Sequence, residues 1–251
     1  MSALLQSLPN WQPYGTPHYL AILFIALIPI IIAILFGKRL PIYEELVSIG
    51  FISLMFGGTH YKQFFALVFF IIWQSAVVLI YQGYRRKHDN KYVFYLNVLL
   101  TLLPLIIVKV NPIVVGHNSL LGFLGISYLT FKTVAMIMEM RDGELTSVTI
   151  WSLFRFLIFL PTISSGPIDR YRRFNEDYLT VPSQDEYVSM IGKAVWYLML
   201  GALYKYIISY ILVTYIIPPI KLSALIHGGL INWKTIAYMY TWGLDLFFDF
   251  A

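Results

Sequence analysis

The sequence predicts an all-α, polytopic membrane protein, and three observations carry that reading. Apolar residues fill 59% of the 251 positions and charged residues only 12%, far from the roughly half apolar, quarter charged mix of soluble domains. Uncharged runs approach the length of about 20 residues that a helix needs to cross a hydrocarbon core roughly 30 Å thick. The basic residues behind the net charge of +5 lie between those runs, not along one solvated stripe. The bias of Lys and Arg towards cytoplasmic loops explains them, and no nucleic-acid partner is expected. Cysteine is absent, so neither a disulfide framework, a thiolate metal site nor palmitoylation is supported.

The first run, Tyr19 to Phe36, is closed by Gly37, Lys38 and Arg39. No Lys or Arg precedes it and no small-residue cleavage pattern follows, so it reads as an anchor rather than a signal peptide. A second apolar stretch, Leu46 to Thr59, and a third, Gln63 to Tyr84, form a helical hairpin. The second is short, to be buried among other helices or flanked by the amphipathic residues Pro41 to Glu45. Loop 85–91 carries the densest positive charge and is placed in the cytoplasm, which puts Lys38 and Arg39 inside and the N-terminus outside the cell membrane. A fourth run spans Tyr92 to Val108, and a fifth, Ile113 to Met138, returns to Glu139–Glu144.

Leu145 to Ile168 is long enough to cross but contains Arg155 and is broken at Pro161 and Ser164-Ser165-Gly166-Pro167. A crossing would place Asp169-Arg170-Tyr171-Arg172-Arg173 outside, against the positive-inside rule, whereas a re-entrant element keeps both charged flanks in the cytoplasm. Non-helical backbone at membrane depth needs protein or a water-filled cavity around it, since an unsatisfied amide in lipid costs several kcal/mol (order of magnitude). The break is therefore expected to line a cavity; an ordinary proline-ended helix with an exposed loop is the alternative.

The polar segment Asp169 to Glu186 leads to Tyr187 to Ile217, either a surface helix and a tilted crossing or one long tilted helix, expected to end at Pro218-Pro219. The last stretch, Thr235 to Ala251, has no polar flank at its end, so the whole of 1–251 is expected to be a single multi-pass membrane domain cut short at its C-terminal side. Asp245 and Asp249, four apart in this apolar stretch, share one helix face. An intramembrane carboxylate is a functional candidate by default, with a structural bond to a neighbouring helix as the equal alternative. The five histidines show no metal-like spacing, and no phosphate-binding glycine loop or nucleophile elbow is present.

Three stretches, Gly125 to Lys132, Phe159 to Phe174 and Leu246 to Ala251, resemble the bacterial membrane-bound O-acyltransferase family, the second its D-alanyl transfer branch. The resemblance implies a ring of tilted helices around a thinned membrane centre and a pore joining a cytoplasmic donor to an extracellular acceptor. The donor it implies is D-alanine on the phosphopantetheine arm of a D-alanyl carrier protein; the acceptor is lipoteichoic acid. No bound cofactor and no metal are expected, and a small accessory membrane peptide is a possible further partner. The family's catalytic histidine follows the Asp-Phe-Ala motif, so no catalytic residue is assigned here and it is expected beyond Ala251. Ser164, Ser165, Gly166, Pro167, Asp169, Arg170, Arg173 and Asp249 are expected as pore wall or fold-locking residues. Competing readings are a transporter or flippase, a non-catalytic scaffold if the chain ends at Ala251, and, within the family, a polysaccharide O-acetyltransferase. Against a transporter, only one broken segment and no internal symmetry are visible.

Overall fold

The computed structural model describes residues 17–116, 119, 121–163, 168–227 and 232–250. Regular structure among them is entirely helical, with no strand. Four helices are long and apolar enough to cross a membrane: His18–Leu35, Tyr61–Arg85, Lys91–Val114 and Gln184–Leu222. The chain divides into two units, Met1–Pro182 and Ser183–Ala251.

In the first unit, α1 (Pro17–Leu35) presents Ile25, Ile28 and Ile32 outward, as suits a helix whose surroundings are lipid. Gly37 (φ +69°) stops it, with Lys38 N–H donating back to the Ala33 carbonyl; a left-handed residue at a helix end costs glycine little. Helix α2 (Pro41–Met55) begins five residues before the second apolar stretch does. At about 22 Å it is short of a full span. It buries Ser48, Phe51, Ile52 and Met55, and Tyr43 donates to the Ala26 carbonyl of α1.

Helices α3 (Tyr61–Arg85) and α4 (Lys91–Val114) form the hydrophobic centre with α5 (Ile126–Asp142). Gln74 of α3, wholly buried, donates to the Thr101 carbonyl of α4, so the polar side chain meets a partner inside an apolar interface. The fifth run is not one helix. Pro112 falls in the last turn of α4, which ends at Val114, and α5 starts only at Ile126. Pro112 cannot donate to the Val108 carbonyl, which weakens the last turn of α4, and Gly116 (φ +78°) turns the chain away.

After α5 the chain enters α6 (Ile150–Ile158), opened by a capping box between Thr149 and Ser152. Nine residues rise only about 14 Å, too little to cross. The helix breaks at Phe159, a 3₁₀ turn covers Leu160–Thr162, and α7 (Tyr171–Leu179) follows. Arg172 stands 3.8 Å from Glu144 and Arg170 3.9 Å from Glu139, so the charged segments before and after the broken element lie at one end. That is the geometry expected of a re-entrant element. Ser164, Ser165, Gly166 and Pro167 lie outside the described residues, as do residues 1–16.

Lys132 of α5 holds the break. It is 1% exposed, donates to the Phe156 carbonyl at 3.2 Å and to the Thr162 hydroxyl, and lies 4.8 Å from the centre of the Phe156 ring. Phe156 belongs to the last turn of α6, whose carbonyls have no partner in their own helix, and a cation there also meets the negative end of the helix dipole.

In the second unit, α8 (Gln184–Leu203) continues without a stop through π-helical stretches Tyr204–Ser209 and Leu212–Ile216 into α9 (Ile217–His227). Pro218-Pro219 therefore does not end the helix. Both prolines fall in the first turn after the wider π stretch, where the change of hydrogen-bond pattern relieves the loss of their donors. Helix α10 (Trp233–Phe250) packs against this run.

Replacing Lys132 by Met in the full-length protein leaves the Phe156 carbonyl and Thr162 hydroxyl without their donor. A loss of about 1–3 kcal/mol is expected, read as a lower melting midpoint of the detergent-solubilised protein; an unchanged midpoint would show that the break is held otherwise.

Candidate functional site

The first unit encloses a cavity of about 400 Å³ between α1, α2, the broken element and α7. One wall is the apolar face of α1; the opposite side and mouth carry Arg39, Glu44, Glu45, Arg155, Asp169, Asp177 and Tyr178. The expectation that the break lines a cavity is met, since Phe159, Leu160 and Pro161 form part of its wall.

Arg155 sits in an apolar helix because Glu45 receives it. Its Nε donates to the Glu45 carboxylate at 2.8 Å, with the two side chains only 14% and 8% exposed. Short α2 brings Glu45 to this depth and α6 presents Arg155 from across the cavity floor. A buried pair of this kind contributes little net stability beside an apolar pair, but losing one partner is severe.

The guanidinium of Arg155 lies 4.1 Å from the centre of the Tyr178 ring, and that of Arg39 lies 4.7 Å from it. Arg39 also donates to the Asp177 and Thr180 carbonyls, satisfying backbone oxygens at the end of α7. Tyr178 is thus clamped by two cations over its π face. Burial, ahead of the neighbouring Glu44 charge, pushes its phenol up to about 12, so it stays a neutral O–H donor at any physiological pH.

Asp169 reaches the cavity wall, accepts from the Arg170 amide and stands 3.4 Å from Arg173. Arg173 itself is exposed and shared with Asp177 at 3.9 Å, a rim pair of small energetic weight. Arg170 is exposed too and faces the buried Glu139 of α5, neither of whose oxygens has a hydrogen bond. Burial raises the Glu139 carboxyl above its ordinary range, with Arg170 opposing the shift. Arg170 and Arg173 therefore stand at the rim and not inside.

In the second unit, Asp249 meets Lys205 at 2.5 Å and Asp245 accepts from Ser209 at 2.6 Å. The shared helix face of the two carboxylates was legible in the sequence; their partners were not. Lys205 and Ser209 both belong to the π stretch, whose wider turn sets two residues four apart against two others four apart. Among the described residues no group of His, Asp and Glu is arranged to hold a metal ion.

No site role for Glu45, Tyr178, Arg39 or Lys132 was read from the sequence. Arg155 carried the usable signal: a cation within an apolar run demands a buried partner. Its partner is 110 residues away, and no local pattern links the two.

Comparison with known proteins finds relatives that share one name. It is 53% identical over 251 residues to the teichoic acid D-alanyltransferase of Streptococcus thermophilus, covering all of this chain. It is 43% identical over 249 residues to that of Lacticaseibacillus rhamnosus and 40% identical over 247 residues to that of Bacillus subtilis. The chain spans 60%, 62% and 61% of the length of these three relatives. No family model matches it.

Replacing Arg155 by Met strands Glu45, and replacing Glu45 by Leu strands Arg155; each is expected to cost about 3–5 kcal/mol. The double substitution Arg155→Met with Glu45→Leu is expected to melt above either single variant. A double variant that melts at the sum of the two losses would mean that the charges are not coupled.

Proposed function

From the homology of this chain, over 95% or more of its length, to teichoic acid D-alanyltransferases, we propose that it forms part of a membrane-bound O-acyltransferase. The enzyme passes D-alanine from a carrier-protein thioester across the cell membrane to lipoteichoic acid. The transfer breaks the thioester of the D-alanyl phosphopantetheine arm and forms an ester with an acceptor hydroxyl, releasing the thiol on the carrier. The protein itself needs no bound cofactor for this step. The histidine that moves the proton lies beyond Ala251 in this reading, and a small accessory membrane peptide is a further partner.

Homology over 95% or more of this chain is the observation that carries the proposal, and the broken element supports it. Non-helical backbone at membrane depth is tolerated only where protein or a water-filled cavity surrounds it, and a path for acyl transfer between two sides of a membrane is such a setting. The charged segments around Arg39, Arg85, Arg141 and Arg172 gather at one end of the first unit, where Arg85 donates to the Arg141 carbonyl and Arg39 to the Thr180 carbonyl. We assign this end to the cytoplasm, with the N-terminus outside. Asp169, Arg170 and Arg173 then serve as pore-wall or fold-locking residues, and Asp249, through Lys205, locks the helices of the second unit.

Cells producing the full-length protein with Arg170→Ala or Asp249→Ala are expected to lose most surface D-alanine ester while the protein still inserts in the membrane, measured by ester release and immunoblotting of membranes. Ester content equal to wild type would remove these residues from the transfer path. Transfer of acetyl instead of D-alanine by the purified protein and carrier would favour a polysaccharide acetyltransferase.

A further inference from the structure

Glu139 is a buried carboxylate with no assigned part in acyl transfer. Its side chain is 8% exposed and neither oxygen has a hydrogen-bond partner. Its backbone is fixed, because the Glu139 carbonyl accepts from the Glu144 and Leu145 amides where Gly143 (φ +81°) closes α5. The residue stands in the last turn of α5, where the negative end of the helix dipole opposes a negative charge. A carboxylate buried without donors is costly, and a nearby cation is what keeps it ionised.

That cation is Arg170, whose Nε lies 3.9 Å from Glu139 Oε1. The distance exceeds a hydrogen bond of about 2.7–3.2 Å, so the attraction is coulombic. Arg170 is 70% exposed, and water takes the place of the carboxylate when the two separate. Other charged groups at this end are committed. Arg172 faces Glu144 at 3.8 Å, and Asp169 stands 3.4 Å from Arg173 and accepts from the Arg170 amide. From α3, Arg85 is held by the Arg141 carbonyl and Asp89. From α4, Lys91 lies over the Tyr92 ring, while Arg141 of α5 lies over Phe94. Glu139 therefore depends on Arg170.

Arg170 is the residue from which α7 departs, and its carbonyl accepts from the Phe174 amide. A hold on its side chain is a hold on the first turn of α7, whose Tyr171 and Phe174 pack on Phe156 of the broken element. We propose that Glu139 is a positioning residue: ionised, it holds Arg170 and the start of α7 against the end of α5, and neutral, it releases them. The consequence for turnover rests on the acyl-transfer reading; the hold itself does not. Burial raises the Glu139 carboxyl above its ordinary range, Arg170 and Arg172 oppose the rise, and Glu144 and Asp169 add to it. The hold is thus present above the raised pKa and lost as the pH falls through it, at a higher pH than for an ordinary glutamate.

The test uses the full-length protein in liposomes with D-alanyl carrier protein and lipoteichoic acid, between neutral and mildly acidic pH. It reads the initial rate of D-alanine ester formation and deuterium uptake at the Tyr171–Phe174 amides, corrected for the intrinsic pH dependence of exchange. Glu139→Gln keeps the shape of the side chain and removes its charge. At neutral pH the variant is expected to transfer about fivefold more slowly and to exchange about fivefold faster than wild type. On acidification wild type is expected to converge on the variant in both readouts, while the corrected exchange of the variant stays level. Glu139→Gln added to Arg170→Ala is expected to slow transfer no further than Arg170→Ala alone. Equal exchange in wild type and variant at neutral pH, or a ratio of their transfer rates that does not change with pH, would overturn the proposal. The wild-type exchange profile needs no variant, so if Glu139→Gln fails to fold, exchange that stays level in wild type across the range overturns it as well. Wild-type protein that forms no D-alanine ester counts against the acyl-transfer reading, and the exchange profile then still decides the hold.

Discussion

An ammonium group sealed inside apolar packing needs acceptors, and Lys132 finds them only because the helix opposite stops short. The Phe156 carbonyl is free to accept because α6 ends two residues later, and the Thr162 hydroxyl is within reach because the chain turns tightly at Leu160–Thr162. Cation and break are thus conditions of each other. A continuous helix would leave Lys132 with no backbone acceptor, and an apolar residue at 132 would leave the end of α6 unsatisfied in lipid.

The rest of the first unit follows from that junction. With α6 held short, Arg155 is carried to a depth where only Glu45 answers it, and the descending chain returns α7 to the end from which α6 set out. Tyr178 then lies beneath the guanidinium groups of Arg39 and Arg155, and the cavity opens between this cluster and the face of α1. Packing around it is aromatic: Phe156 meets Tyr171 and Phe174 edge-on or tilted, and Phe174 stacks on Tyr178. These contacts fix the orientation of a short polar helix that has too few apolar residues to hold itself.

The second unit solves a similar problem by other means. Two carboxylates in an apolar helix are matched to a lysine and a serine on a run that changes from α to π and back. Widening the turn re-aims side chains without breaking the helix, and it also lets the run pass through Pro218-Pro219.

Composition and run length by themselves determined that the chain is helical and membrane-spanning, because burial of backbone amides in lipid leaves helices as the solution for long uncharged runs. Pro161 and the Ser-Ser-Gly-Pro stretch, together with charge on both flanks, determined that the segment after Glu144 is broken and returns. The pairing of Asp245 with Asp249 on one face was fixed by a spacing of four. Tertiary structure alone decided the rest. Arg155 and Glu45 are 110 residues apart, Lys132 and Thr162 belong to different elements, and Tyr178 looks like an ordinary residue of a polar loop. Their meeting depends on where helices stop: Ile113 begins no helix, and Pro218 ends none. Helix ends are set by caps, π stretches and distant acceptors, and these depend on contacts that a local pattern does not encode.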